Sequence, residues 1–211
     1  MSLKKNVFLY LYAFYLIIGA YLLFTLQKGD LVIWFNSHHS SAGDIFFKYF
    51  THVGDGLFFI AVIVSMLFVN YFKALTGLLT YASSAIFAQV LKHAFFTDMK
   101  RPSALLDNSL LHPVDGVEWH CCNSFPSGHS TSAFAMFLWL SLSIQNRILQ
   151  AFFFICAVLV TFSRMYLSQH FFMDTYAGSI IGTTFALLIY SLVHKAPFAK
   201  SEKWNRKIYF K

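Results

Sequence analysis

The sequence predicts an all-α polytopic membrane protein with six transmembrane helices. Of its 211 residues, 57% are hydrophobic and only 12% are charged, and the mean hydropathy is +0.58. A soluble domain has roughly 25% charged residues, so this chain has too few to cover a water-facing surface. Long apolar runs recur along it, and polar residues concentrate between them. The length fits a single domain, which we assign to residues 1–211.

Six stretches are apolar enough to be spanning helices, because a helix needs about 20 mostly apolar residues to cross the hydrocarbon core. They are 7–26, 56–72, 74–96, 127–144, 148–163 and 174–194. The first is longer than a signal-peptide core and lacks a small-residue cleavage site at its end, so we expect it to remain as a helix.

Two further segments complete the predicted layout. Residues 31–53 are apolar but interrupted by polar pairs, which predicts short amphipathic helices at the membrane interface. Residues 97–126 contain most of the turn signals and four of the nine acids, and they form the one substantial loop.

The distribution of Lys and Arg predicts the orientation of the chain. With six spans, ten of the 16 basic residues and one of the nine acids, Glu202, share a side with both termini. Those basic residues are Lys4, Lys5, Lys73, Arg147, Lys195, Lys200, Lys203, Arg206, Lys207 and Lys211. We therefore expect cytoplasmic termini and an outward-facing loop 97–126. The net charge of +7 is then mainly a positive-inside signal and indicates no nucleic-acid partner.

Three polar segments are predicted to meet at the outer membrane face. The third span ends in LKHAFFTDMKRPS, the fourth begins with SFPSGHS, and SRMYLSQHFFMD links the fifth to the sixth. Charges at span ends are costly unless they snorkel to the headgroups or have a function. Snorkelling would explain Lys92, Arg101 or Arg164 taken singly, but their convergence indicates a functional site.

The residues around Ser127 suit a tetrahedral oxyanion. Pro126 is favourable in a first helical turn, Asn123 or Ser124 could cap the helix, and Gly128 permits close approach to the backbone. Free N–H groups at a helix start bind anions, and the Ser127 hydroxyl adds a donor. The nearby lysine and arginines can donate to phosphate oxygens.

Three residues suit acid–base and nucleophilic chemistry. His170 and Asp174 are four residues apart and would share one face of a helix. The carboxylate can then orient one imidazole nitrogen and leave the other as a nucleophile, as in catalytic triads. His129, on a different helix, could protonate a leaving oxygen.

These residues resemble the motifs of the type 2 phosphatidic acid phosphatases, also called the lipid phosphate phosphatase superfamily. The family motifs are K-x6-R-P, P-S-G-H and S-R-x5-H-x3-D. The second matches residues 126–129 and the third matches 163–174 without adjustment. In the first motif, eight residues instead of six separate Lys92 from Arg101, a difference that a bulge after the helix end can absorb.

The resemblance implies a membrane lipid phosphatase that needs no metal and no other cofactor. His170 would attack phosphorus and form a phosphohistidine, Asp174 would orient it, and His129 would protonate the leaving group and then help to activate water. The phosphoryl oxygens would be held by Lys92, Arg101, Ser127, Gly128 and Arg164. The site would face the periplasm or exterior of a cell (inner) membrane.

The sequence leaves several functions open. The lipid could be undecaprenyl pyrophosphate, lipid A phosphate, phosphatidylglycerol phosphate or phosphatidic acid. A lipid phosphotransferase would use the same phosphohistidine, and a phosphate-lipid binding or transport protein would need only the cationic residues. The nine histidines also admit a haem or metal protein, although those near spans lie at their ends.

The cysteines form no obvious framework. Cys121 and Cys122 are adjacent, and a disulfide between neighbours is strained. A metal site with Glu118 and His120 is conceivable, but the spacing fits no common zinc pattern. Cys156 lies in an apolar run and is expected in the core.

Overall fold

The computed structural model describes residues 5–208, and within this range it contains helices and no strands. Lys4 and Lys211, which contribute to the charge asymmetry above, lie outside the described residues. The helices are α1 (Val7–Thr25), α2 (Asp30–Ser37), α3 (Ser41–Phe50), α4 (Gly56–Met66), α5 (Tyr71–Val90), α6 (Pro102–Leu105), α7 (Gly128–Leu142), α8 (Arg147–Tyr166) and α9 (Phe172–Val193). The predicted all-α class is confirmed for this part of the chain.

Four helices in the described range are long and apolar enough to cross a membrane: α1, α5 with its continuation to Phe95, α8 and α9. A fifth crossing forms if Ser41–Gly54 and Gly56–Met66, which are bent by 58°, act as one span. The predicted span 56–72 is therefore too long, since α4 ends at Met66. The count of six stays a prediction.

The short helix α7 lies at the centre of the bundle. Its 15 residues extend over about 22 Å, less than the roughly 30 Å of a bilayer core. It packs against α5, α8 and α9, and most of its side chains are buried. Because other helices enclose it, its polar first turn can lie inside the protein instead of at a lipid-exposed surface.

Close packing of α7 on α9 depends on two glycines that are four residues apart. A Cβ atom at Gly178 would lie 2.6 Å from the Ser127 carbonyl oxygen, and one at Gly182 would lie 2.8 Å from the Ala135 nitrogen. Small residues at this spacing let helix backbones approach in membranes. The two helices that bear Ser127 and Asp174 are thus held backbone to backbone.

The first helix joins the bundle through aromatic packing. Phe8 is fully buried and packs edge-on against Phe134 and Phe154. The opposite face of α1 exposes large apolar side chains, including Phe14 and Phe24. Monomeric soluble proteins rarely expose large contiguous apolar surface, so this face suits contact with lipid.

Candidate active site

His170 lies in the turn between α8 and α9, not on a helix as its spacing from Asp174 suggested. The reason is that Asp174 belongs to the first turn of α9, where its Oδ2 atom accepts a hydrogen bond from the Phe171 N–H at 3.0 Å. The His170 N–H donates to the Arg164 carbonyl at 3.1 Å and so closes the turn. His170 Nδ1 then lies 3.5 Å from Asp174 Oδ2, which leaves Nε2 for chemistry.

Ser124 is a member of this site that the sequence did not identify as one. Its hydroxyl donates a hydrogen bond to Asp174 Oδ2 and lies 3.5 Å from His170 Nδ1. The side chain is 1% exposed, and its N–H donates to the Met99 carbonyl at 2.9 Å. The only signal in the sequence is a hydroxyl residue two positions before Pro126, where we expected a helix cap.

The helix cap is Ser127, because α7 begins at Gly128 and Pro126 precedes the helix. Neither Asn123 nor Ser124 caps it, which corrects the sequence prediction. Ser127 Oγ accepts from the N–H and the hydroxyl of Ser130, at 3.4 and 3.2 Å, so its own hydrogen is available to donate. The Ser127 N–H donates to the carbonyl of Asp174 at 3.0 Å and links the two motifs directly.

The first turn of α7 presents an open backbone surface. The backbone N–H groups of Gly128 and His129 lie in the first turn of α7, where no carbonyl group of the helix can accept a hydrogen bond from them. A Cβ atom at Gly128 would meet nothing within 4 Å. Both residues line a cleft of about 300 Å³ together with Gly54 and Asp55. The start of a helix favours an anion through its dipole and its unpaired N–H groups. His170, Lys92, Arg101 and Arg164 do not line this cleft.

The cations predicted from three separate segments converge on His170. Burial lowers the pKa of His170 well below 6.5, and the positive charges of Arg164, Arg101 and Lys92 lower it further. His129 is close enough to His170 to interact with it electrostatically. The structure therefore brings together the proposed nucleophile, the proposed acid and the proposed phosphate ligands.

Arg164 is fixed by a residue that the sequence did not single out. The guanidinium group is buried, and its Nη1 atom donates to the Thr51 hydroxyl at 2.7 Å. Thr51 lies in the 3₁₀ turn Thr51–Gly54 between α3 and α4. Arg164 Nε is buried and has no protein partner within the described range, so it remains available to an anion.

Arg101 is anchored by the backbone of the long loop. Its Nε donates to the Cys122 carbonyl at 2.9 Å, and its N–H donates to the Cys121 carbonyl at 2.9 Å. Nη1 also donates to Gln169 Oε1 at 3.0 Å, next to His170 in the chain. Contrary to our expectation, Cys121 and Cys122 are joined by a disulfide, so their sulfurs are not free to bind a metal with Glu118 and His120.

Lys92 is half-buried in a π-helical turn, Leu91–Phe95, that continues α5. A π-turn accommodates an extra residue within a helix and is frequent at functional sites. The longer spacing between Lys92 and Arg101 is thus absorbed partly inside the helix and partly in the following loop. Lys92 still reaches the neighbourhood of His170.

Comparison with known proteins finds a matching family and similar chains. The family profile described as PAP2 superfamily matches residues 73–198, more than half of the chain. The lipid A 4'-phosphatase of Bacteroides thetaiotaomicron is 29% identical over 175 residues, which cover 79% of this chain and 76% of the relative. Lipid phosphate phosphatase 1 of Arabidopsis thaliana is 34% identical over 101 residues, 42% of this chain and 31% of that protein.

Two solved structures share the fold. LpxE of Aquifex aeolicus superposes with a TM-score of 0.70 at 23% identity, over 79% of this chain and 97% of that one. A PAP2-type phosphatidylglycerolphosphate phosphatase from Bacillus subtilis gives 0.58 at 22% identity, over 90% of this chain and 98% of its own.

Proposed function

Because the chain belongs to the PAP2 superfamily and is an integral membrane lipid phosphatase, we propose that it hydrolyses its substrate through a phosphohistidine on His170. The observation that supports this most directly is the arrangement of Asp174 Oδ2 next to His170 Nδ1, with three cations around the same imidazole. A protein that only binds phosphate would need the cations but not the oriented imidazole.

In the first step, His170 Nε2 attacks phosphorus, and the bond from phosphorus to the lipid oxygen breaks. His129 gives its proton to that oxygen, and Asp174 stabilises the charge that develops on His170. In the second step, water attacks the phosphohistidine and gives a proton to His129, and the phosphate leaves from Nε2. The first step leaves His129 deprotonated and able to accept the proton of water. The second step restores protonated His129 and free His170.

The phosphoryl oxygens would be held by Arg164, Arg101 and Lys92, together with the Ser127 hydroxyl and the Gly128 N–H. Fixed donors around a transferring phosphoryl group stabilise the transition state electrostatically. Arg164 fits this role because its Nε atom is buried without a protein partner in the described range and its Nη1 is already fixed by Thr51.

Among the possible lipids, we place lipid A phosphate first, because the relative matched over most of both chains is a lipid A 4'-phosphatase. Phosphatidylglycerol phosphate, undecaprenyl pyrophosphate and phosphatidic acid follow. An apolar groove of about 290 Å³ between α1, α8 and α9 supports a lipid tail near the site. Phe172, two residues after His170, is one of its lining residues, and Lys28 lies 4.5 Å from the ring centroid of the adjacent Phe171.

The test of this function is phosphate release by the purified chain in detergent with excess EDTA, over a panel of these four lipids. We expect turnover of at least one lipid and none by His170→Ala. Equal rates in the two proteins would refute the phosphohistidine. If the wild type releases phosphate only when a sugar or lipid hydroxyl is added and the product is phosphorylated, the protein is a phosphotransferase with the same intermediate.

For topology, we propose six crossings: α1, the bent pair α3–α4, α5, the short α7, α8 and α9. In this proposal α3 belongs to a crossing, and only the first part of the segment 31–53 lies at the interface as the sequence predicts. Both termini would be cytoplasmic, and the site would face the periplasm or exterior. In intact cells, Asp107→Cys should react with a membrane-impermeant thiol reagent and Glu202→Cys should not. The reverse labelling pattern would invert the orientation.

A further inference from the structure

We propose that His39, Asp44 and His112 form a zinc-binding site that is separate from the phosphatase site. One potential ligand atom from each of the three lies within 4.8 Å of the others. His112 Nε2 and Asp44 Oδ2 are 3.0 Å apart. His39 lies in the connection between α2 and α3, Asp44 lies on α3 five residues later, and His112 lies in the long loop, so an ion would join the start of α3 to the long loop.

The donor set fits zinc better than the hard cations. Zn²⁺ binds imidazole nitrogen and carboxylate oxygen at about 2.0–2.2 Å in tetrahedral geometry. Three protein ligands leave the fourth position to water. Ca²⁺ and Mg²⁺ prefer sites built from oxygen ligands, and two imidazoles make a poor site for them.

The imidazole ring of His39 must rotate before all three side chains can bind one ion. The His39 and His112 rings are stacked, with centroids 3.6 Å apart and planes inclined by 8°. His39 is exposed, so its imidazole can rotate towards Asp44 Oδ2 without disturbing buried packing. The hydrogen bond between His112 and Asp44 would be exchanged for two bonds to the ion, with release of any proton on that nitrogen.

The other two ligands are supported by hydrogen bonds outside the cluster, which reach the carboxylate of Asp44 and the backbone of His112. Such outer partners usually orient the ligands of a protein metal site. Asp44 Oδ1 accepts from the Tyr166 hydroxyl at 2.6 Å, which leaves Oδ2 to face the histidines. The backbone N–H of His112 donates to Asn36 Oδ1 at 2.7 Å, which fixes the main chain at His112, and the same oxygen accepts from the Ser168 hydroxyl at 3.0 Å. Asn36 is 3% exposed.

These supports connect the proposed zinc site to the turn that positions the phosphatase site. Ser168 lies two residues before His170, and Tyr166 ends α8 shortly after Arg164. A bound ion would therefore link the long loop to Asp44 and, through the Tyr166 hydroxyl, to the end of α8. The expected effect is on the stability of this face of the protein, because none of the three ligands contacts the groups that transfer phosphate.

The test uses the untagged, full-length chain in detergent, stripped with EDTA and then exchanged into chelator-free buffer. Calorimetric titration with Zn²⁺ should give one ion per chain, and Zn²⁺ should raise the unfolding temperature. Co²⁺ as a substitute should give the intense visible absorption of a tetrahedral site. His170→Ala should bind zinc like the wild type, which separates this site from the proposed catalytic one.

The variants are His39→Ala and Asp44→Asn, with His38→Ala as the matched control. His38 is also exposed, and its Nδ1 contacts Ser37 and the Trp34 carbonyl outside the cluster. We expect each ligand variant to weaken zinc binding by more than about tenfold, since even loss of an outer partner costs 10- to 100-fold. Absence of zinc binding by the wild type, or equal affinity of His39→Ala and His38→Ala, would overturn the proposal.

Discussion

The hydroxyl of Ser124 donates a hydrogen bond to the same oxygen of Asp174 that faces His170. This oxygen also accepts from the Phe171 N–H, so two donors fix its position before any substrate binds. The separation of 3.5 Å between Asp174 Oδ2 and His170 Nδ1 is long for a hydrogen bond. Such contacts often tighten in the complex with substrate, when the imidazole becomes charged.

We predict that Ser124→Ala lowers kcat by about tenfold or more, since a hydrogen bond to a charged group contributes about 1.5–3 kcal/mol. Asp174→Asn should lower kcat by about 10⁴-fold, as an orienting carboxylate does in serine proteases. Thr80→Ala is the control, because that buried hydroxyl donates only to the Thr76 carbonyl. Steady-state rates of lipid phosphate release measure the effects. Wild-type turnover by Asp174→Asn would remove the carboxylate from the mechanism.

Thr51→Val should impair both stability and activity through Arg164. Loss of the hydroxyl leaves a second N–H of a buried guanidinium without a partner, which costs about 1–3 kcal/mol. Thr51→Ser keeps the hydroxyl and should restore most of both properties. The unfolding temperature and kcat of the three proteins give the answer. If valine and serine variants behave alike, Thr51 does not position Arg164.

Alanine substitution should affect different properties at two glycines, the stability of the fold at Gly182 and substrate binding at Gly128. At Gly182 a new Cβ meets the α7 backbone, so Gly182→Ala should destabilise the fold by about 1–3 kcal/mol. At Gly128 the Cβ meets nothing within 4 Å, so Gly128→Ala should fold normally but place a methyl group where phosphate is proposed to bind. Thermal unfolding and KM distinguish the two effects. A raised KM without destabilisation at Gly128 is the expected result, and an unchanged KM would contradict its assignment.

The pH profile should reflect the lowered pKa of His170. The proposed nucleophile is neutral, and burial together with Arg164, Arg101 and Lys92 disfavours its protonation. Activity should therefore persist on the acid side of the range between about pH 5 and 8, where an ordinary histidine becomes charged. Arg101→Gln removes one positive charge, so the acid limb of kcat/KM should move to higher pH. If the acid limb of kcat/KM stays at the same pH in Arg101→Gln, a group other than His170 controls it.

Vanadate should inhibit the enzyme competitively with lipid phosphate. It adopts the five-coordinate geometry expected of phosphorus during attack by His170, and transition-state analogues bind much more tightly than substrates. The inhibition constant should rise in Arg164→Lys, which loses the planar pair of donors but keeps the charge. Full activity in saturating vanadate would count against the mechanism.

The helical class followed from local properties of the chain. Apolar runs of spanning length are a sufficient signal, because in a bilayer the backbone must satisfy its hydrogen bonds within the helix. The third, fifth and sixth predicted spans match α5, α8 and α9 to within a few residues. The fourth predicted span, 127–144, likewise matches α7 to within two residues. The prediction was wrong at the end of α4, which stops at Met66 instead of residue 72, because the chain turns there before Asn70 caps α5. Hydropathy does not reflect this turn.

The candidate residues could be named from the sequence because their types and spacings are local: Pro126 to His129 in one segment, and Arg164, His170 and Asp174 in another. Only the tertiary structure shows that Ser124, Thr51 and Gln169 support them. Those contacts depend on how α7, α9 and the long loop pack together. An ordinary serine, threonine or glutamine becomes informative only when burial gives its hydrogen bond a specific partner.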